Sequence, residues 1–462
     1  MENDTHSDRT PQPKLSFWQK IAYGIGDVGP ALVFTISGFY LNAFLLDIAG
    51  LRPAMVGIIF LLVKIWDSVN DPIIGWISDR TNTRWGRRRP WLLFGAIPFG
   101  LAWFLQWQVP NWGDTGLFFY YLLVSLLLDT AFTAVNIPYV SLTPEIAPNY
   151  DERTSLNAYR FSFSLLGGMI SLLVHNAIVN ASPSVLTGYT ISAFVMGVII
   201  VVSNFITFAA IKESYYKDET EPEPGFLEGI KIAFQNRPFL MVTAIYMLAW
   251  ICIQFVQTNL LLYVRYWMGA NDMFINFAAA LQFSIFISLF IWTKLSTRIG
   301  KRHVYFIGLA IWIPMQIILF FIQPGQTTFL FILAIIAGIG AGVGYLVPWS
   351  MLPDVIDLDE LNTHVRREGV YYGFFVLLQK LGISLGLAIS NFILEGAGYI
   401  NAESETIFPQ QPDQVLIALR LFVSFAPALV LLLSIPIVYK YPLTRQRHQE
   451  IQVELAKRKT NS

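Results

Sequence analysis

The chain has 462 residues, of which 55% are hydrophobic and 13% charged; its formal net charge is zero and its mean hydropathy +0.52. Soluble domains carry roughly 25% charged residues, so this composition excludes a soluble globular domain and describes an all-α, polytopic membrane protein. Zero net charge gives no basis for nucleic-acid binding, and a single cysteine, Cys252, excludes an intramolecular disulfide.

The first 15 residues, MENDTHSDRTPQPKL, are polar and lack the basic region and short apolar core of a signal peptide. Beyond them, a membrane crossing needs about 20 apolar residues. Reading breaks at proline, glycine and charge clusters gives twelve such segments, starting near Trp18, Pro53, Pro90, Thr115, Leu156, Tyr189, Pro238, Phe274, Val304, Thr327, Gly369 and Gln414. Lys and Arg in short loops stay cytoplasmic. With both termini inside, the inner segments hold 26 of the 31 basic residues and the outer loops only Arg52 and Arg265; Lys64, Lys380 and Arg420 fall within spans. The expected organisation is a cytoplasmic tail (1–16), a six-helix bundle (17–211), a central cytoplasmic loop (212–237), a second six-helix bundle (238–440) and a cytoplasmic tail (441–462).

The two halves echo each other. TRWGRRRPWLLFG follows the second span and TRIGKRHVYFIG the eighth, so that Arg84 and Gly86 match Arg298 and Gly300 at one constant offset. A short basic turn containing glycine, repeated after the second helix of each half, is the parallel repeat of the major facilitator architecture.

A charge at the bilayer centre costs from about 3 to more than 10 kcal/mol, so intramembrane ionisable groups face a partner or an aqueous cavity. KIWDSVNDPIIGW puts Lys64, Asp67 and Asp71 at i, i+3 and i+7, on one helical face, with Asn70 beside them. Pro72 removes a backbone donor and frees a carbonyl one turn back. One carboxylate would serve a Lys64–Asp67 pair between helices; the second makes an oxygen-rich cluster suited to a small alkali cation or to a carboxylate that carries a proton. LLLDTAFTAVNIPYVSL places Asp129, Thr133 and Asn136 at i, i+4 and i+7, and Thr133 can lend an oxygen to the cluster. Thr and Asn in such helices also serve as helix–helix glue. Lys380, midway along the eleventh segment, points toward the carboxylates of the other half. Arg160 is an interfacial anchor or reaches the cavity; His175 and Arg420 are packing residues.

WDSVNDPIIGW followed by RWGRRRPW resembles the glycoside–pentoside–hexuronide:cation symporter family of the major facilitator superfamily, and the resemblance runs from YGIGDVG to the twelfth segment. It implies that Asp67 and Asp71 bind the coupling Na+, Li+ or H+, that Thr133 completes this site, that Lys380 links it to the substrate, and that Arg160 meets the substrate. Where sugar carriers of that family have aspartates in helices 1 and 4 and a tryptophan in helix 10, this chain has Ala31, Asn136 and Tyr345. VPWSMLPDVID, GFYLNAFLLDIAG and the acidic residue at Asp129 are similar to the sodium-dependent lysophosphatidylcholine symporters.

The expected function is therefore cation-coupled symport of a small organic solute. Asp67, Asp71, Asn70 and Thr133 hold the ion, and Arg160, Asn136, Asp129, Lys380 and Tyr345 the solute. Asp79, Arg84 and Asp354 close the inner side, with DVIDLDE opposite basic residues of the other half. A sugar or glycoside is the leading substrate class and a lysolipid the alternative. No cofactor beyond Na+ or H+ is expected, nor any partner beyond solute and bilayer: a monomer, in a bacterial inner membrane. The five histidines are scattered without a His-Glu-x-x-His pattern, which argues against an intramembrane enzyme. A scramblase or a non-transporting sensor would have no need of the acidic pair.

Overall fold

The computed structural model describes residues 15–147, 150–213, 226–365, 367–402 and 408–461. Among them are twelve long helices: α1 (Phe17–Leu41), α2 (Pro53–Arg80), α3 (Arg89–Gln106), α4 (Asp114–Ser141), α5 (Tyr150–Ala181), α6 (Val185–Ala210), α7 (Arg237–Trp267), α8 (Phe274–Ile299), α9 (Lys301–Leu319), α10 (Thr327–Thr363), α11 (Glu368–Gly396) and α12 (Asp413–Lys440). Eleven are long and apolar enough to cross a membrane; α3, eighteen residues with Pro98 inside it, is the exception. Helices are the expected solution, because a chain in hydrocarbon must satisfy its backbone internally.

Local chemistry sets the boundaries. Proline opens α2, α3 and α7, where its missing N–H costs nothing. Ser16, Ser184 and Asn236 cap α1, α6 and α7 through their side chains. Observed starts lie within a few residues of the sequence reading, with α5 beginning at Tyr150 and α6 at Val185, earlier than expected. The central connection is not wholly loop: Phe226–Gln235 forms a helix against α11.

Packing repeats between the halves. In the first, α1 packs on α5 and α6, α2 on α4, and α3 on α4 and α6; in the second, α7 packs on α11 and α12, α8 on α10, and α9 on α10 and α12. The halves meet where α2 lies on α11, α5 on α8 and α1 on α7. The glycine run of α10 permits close approach: a Cβ at Gly340 would stand 2.7 Å from Trp312 of α9, and one at Gly338 would stand 2.7 Å from the Leu281 carbonyl of α8.

The ends of the bundle differ. At one end, α1 leads into a π-helical turn (Phe44–Ile48) and α7 finishes in another (Tyr263–Trp267), at matching places in the two halves. These turns carry Asp47 and Arg265, which form a buried ion pair between the halves. Asp47 also accepts from Tyr266 (2.8 Å) and Tyr399 (2.5 Å) hydroxyls. Asn401 donates to the Leu46 and Leu51 carbonyls, and Arg52 pairs with Glu395. At the opposite end the described ion pairs run within one half: Asp79–Arg88, and Glu145 with Arg87 and Arg88, in the first; Lys301–Asp354 and Arg367–Asp359 in the second.

Candidate functional site

The charges of α2 meet α4 and α11 at mid-depth. Lys380 Nζ, from α11, lies 2.9 Å from Asp67 Oδ1 and 2.5 Å from Asp71 Oδ2. Thr133 of α4 donates to Asp71 Oδ1 at 3.0 Å. Lys64 Nζ stands 3.1 Å from Asp67 Oδ2 and 3.7 Å from Asp129 Oδ1. Five ionisable groups from three helices thus form one network that bridges the halves.

Helical geometry explains how they converge. Residues 64, 67 and 71 share a face of α2, residues 129 and 133 share a face of α4, and α2 packs on both α4 and α11. Asp67 is 2% exposed, so its charge needs the two ammonium groups it faces. With all five groups ionised, three carboxylates against two ammonium groups would leave one negative charge unbalanced. Asp129 Oδ2 and Asn70 Nδ2 are buried without a hydrogen-bond partner among the described residues, so the cluster has further donor and acceptor capacity. The oxygens of Asp67, Asp71, Asp129 and Thr133 are hard donors, the set an alkali cation takes.

The remaining sequence-derived residues lie on α4, α5 and α10. Arg160 of α5 has its guanidinium 4.7 Å from the Phe161 ring centroid, with Nε buried and without a hydrogen-bond partner among the described residues. It is in electrostatic reach of Asp27, at the kink of α1, and of Tyr23 and Tyr139, whose rings stack at 4.8 Å. Asn136 is half-buried, one turn beyond Thr133. Tyr345 sits edge-on to Trp250 at 5.0 Å, and Trp250 in turn meets Phe34 of α1 at 5.7 Å. One turn on, Trp349 donates to the Tyr246 hydroxyl (2.5 Å) and remains 39% exposed. Acidic and basic side chains thus lie on α1, α2, α4 and α5 and aromatic ones on α7 and α10, and Phe34 with Trp250 brings α1 against α7.

Asp79, Arg84 and Asp354 do not meet one another. Asp79 pairs with Arg88, Arg84 lies over Trp85, and Asp354 binds Lys301 at 2.7 Å and His448 at 3.3 Å. Burial pushes the neighbouring Glu145 carboxyl up in pKa, even with Arg87 and Arg88 against it. His175, held to Ser192 at 2.7 Å among Tyr40, Trp107 and Tyr189, is a packing residue. Arg420 lies over Trp267 and Phe320 and caps the Phe320 carbonyl.

Two sets of residues escaped the sequence reading. Asp27 lies in YGIGDVG, and the acid in an otherwise apolar and glycine-rich turn was its signal. Asp47 and Arg265 sit at span ends, where charge is ordinary. The signal there was sparsity: Arg52 and Arg265 are the only basic residues of the segments read as outer loops, and each meets an acid of the other half.

Twelve long helices in two equivalently packed sets, with a charge network between them, define a multi-pass membrane transporter. The solved nucleoside transporter NupG superposes with a TM-score of 0.65, at 14% identity, over 92% of this chain and 99% of that one, which shows the major facilitator fold. Residues 22–445 match the family described as MFS/sugar transport protein, and the chain belongs to that family, a family of transporters rather than enzymes. It is 37% identical, over 97% of its length and 98% of the relative's, to the uncharacterized symporter sll1374 of Synechocystis sp.. It is 29% identical to sodium-dependent lysophosphatidylcholine symporter 1-A of Danio rerio, covering 94% and 87% of the two chains.

Proposed function

We propose that this protein is a cation-coupled symporter working by alternating access, with α1–α12 as twelve spans, two six-helix halves and both termini cytoplasmic. The observation that carries the reading is the position of Lys380 between Asp67 and Asp71. One ammonium from the second half takes the place between two carboxylates of the first where a coupling ion would sit. A monovalent cation bound there competes with Lys380, cancels the unbalanced charge and loosens α11 from α2. An ion shifts a conformational equilibrium only by its differential affinity for the states, and a contact that bridges the halves supplies such a difference. Na+ is favoured over H+ by the sodium-dependent relative and by the hard oxygen donors. In this reading the end with Asp47 and Arg265 is the outer one, and its ion pairs between the halves hold it closed.

The solute sits between the acidic and basic side chains and the aromatic ones. Arg160, Asp27, Asn136 and Asp129 orient hydroxyl groups, and Tyr345 with Trp250 stacks on a ring face, as sugar sites require. A sugar or glycoside is the leading class. A second reading, a lysolipid, is favoured by the Danio relative and by an apolar groove of about 540 Å³ between α5 and α8, lined by Met169, Leu173, Phe283 and Phe331. The name of the Synechocystis relative and its high coverage support a bacterial inner-membrane symporter.

The test is reconstitution in liposomes with an imposed Na+ gradient and panels of labelled sugars, glycosides and lysophosphatidylcholine. Uptake of a sugar that collapses with the gradient supports the leading reading. Gradient-driven uptake of the lysolipid alone moves the assignment to the second, and equilibration indifferent to both Na+ and H+ gradients overturns the symporter. Orientation has its own check: a cysteine at Arg87 should be labelled only from the cytoplasm and one at Ser184 only from outside.

A further inference from the structure

Two ammonium groups hold Asp67, and they differ in what carries them. Lys380 comes from α11 of the second half, so it can withdraw from the carboxylates when the halves part. Lys64 lies three residues before Asp67 on α2 itself, with Nζ 3.1 Å from Asp67 Oδ2. Helical spacing keeps it beside that carboxylate in every arrangement of the halves. A cation that takes the Asp67 oxygens is therefore opposed by an ammonium on its own helix. Withdrawal of Lys380 alone does not clear the site.

Among the described residues Lys64 has a second acid within reach, Asp129 of α4. Its Oδ1 lies 3.7 Å from Lys64 Nζ, just beyond hydrogen-bond length. The Asp129 side chain is only 10% exposed, and its Oδ2 has no hydrogen-bond partner among the described residues. A buried carboxylate short of donors is costly, and an ammonium has three N–H groups to give. Two contacts hold α4 in register for this exchange: Trp66 Nε1 donates to Thr130 Oγ1 at 2.8 Å, and Thr133 donates to Asp71 at 3.0 Å. Lys64, at 25% exposure, is less enclosed than either carboxylate it faces, so it is the group with room to turn.

We infer that Asp129 is a positioning residue for the coupling cation, which it serves by drawing the Lys64 ammonium off Asp67; this rests on the cation site proposed at Asp67 and Asp71. In the arrangement described, Lys64 donates to Asp67. With the ion bound, it donates to Asp129 instead. Charge balance points the same way. With every group ionised, Asp67, Asp71, Lys64 and Lys380 alone would be neutral, and an added cation would leave the buried cluster positive. Asp129 brings the sum with the ion to zero. One carboxylate of the first half thus acts on the ion through Lys64, without touching it.

The test is a double-variant cycle on the full chain, read as Na+ affinity rather than uptake. Thermal unfolding in detergent is followed while sodium chloride replaces choline chloride at constant ionic strength. The proteins are the wild type, Asp129→Asn, Lys64→Gln, the two combined, and Asp71→Asn. Asp129→Asn should need at least about tenfold more Na+ for the half-maximal shift. Lys64→Gln should bind Na+ at least as tightly as the wild type. In the Lys64→Gln background, Asp129→Asn should cost less than about threefold, because no ammonium is left to draw away. That recovery separates a positioning residue from other roles. A direct ligand of the ion, or a residue needed only for the fold, would leave the combined variant as weak as Asp129→Asn, and this result overturns the inference. An undiminished response in Asp129→Asn does so too. The cation site has its own control, since Asp71→Asn should lose the Na+ response. A response kept in Asp71→Asn, or none in the wild type, overturns the site and the role of Asp129 together. Loss in Asp71→Asn without recovery in the combined variant overturns the role of Asp129 alone.

Discussion

The two ends of this bundle hold their charges in opposite ways. At the Asp47 end, acids and bases pair between the halves: Asp47 with Arg265, Arg52 with Glu395, and Asn401 on the backbone after α1. At the Arg88 and Asp354 end, the described ion pairs stay within one half. Midway, Lys380 bridges the halves through Asp67 and Asp71. A transporter that opens one end at a time needs this asymmetry. Cross-half pairs hold one end shut, within-half pairs leave the other free to part, and the middle contact is the one a coupling ion can contest.

The largest expected effect is at the middle. Asp71→Asn or Asp67→Cys should abolish gradient-driven accumulation, because the ion then has no differential affinity with which to bias the states. Detergent-extracted protein should still elute at the wild-type position. Uptake by either variant at the wild-type rate would separate the cluster from coupling.

Next comes the closed end. Removing one partner of a buried ion pair costs about 3–5 kcal/mol, and the Arg265 side chain is 8% exposed with Asp47 fully buried. Asp47→Asn or Arg265→Gln should therefore loosen the contact between the halves at the Asp47 end, the outer one in the proposed orientation. A cysteine at Phe34, which packs on Trp250, would then react faster with an impermeant thiol reagent added from the Asp47 side. The double variant, with no charge left unpaired, should react less than either single one; three equal rates would show that the pair does not hold this end shut. The smallest effect is expected at Arg52–Glu395, where the Arg52 side chain is 61% exposed. Exposed pairs contribute little, so Glu395→Gln should leave both uptake and outer labelling unchanged within error.

How much of this was legible in the sequence follows the range of the interactions. Helix starts could be read because proline at 53, 90 and 238 and the capping Ser16 act within one turn. The shared face of Lys64, Asp67 and Asp71 follows from helical spacing, and the twin glycine turns from a register repeated in the chain. The helix Phe226–Gln235 was hidden by the charged segment before it, although Phe226, Ile230, Ala233 and Phe234 keep helical spacing. Contacts over hundreds of residues are another matter. Nothing local ties Asp47 to Arg265, and both look like ordinary interfacial charges until the π-helical turns bring them together. Asp27 belongs to the same class, since its meeting with Arg160 depends on how α1 packs against α5. Asp79, Arg84 and Asp354 were grouped by their shared end of the bundle, whereas each has a partner nearer in its own half.

The central claim is that a cation competes with Lys380 for the α2 carboxylates and thereby sets which end is open. Spin labels at Asn82 and Thr297, one on each half at the Arg88 end, would report the separation of the halves by electron–electron resonance. Na+ should be titrated at constant ionic strength, and pH varied separately, in the wild type and in Asp71→Asn. The account predicts that one of these cations redistributes the distances in the wild type and leaves the Asp71→Asn distribution fixed. A shift of equal size in both proteins, or none in the wild type with either cation, would contradict it.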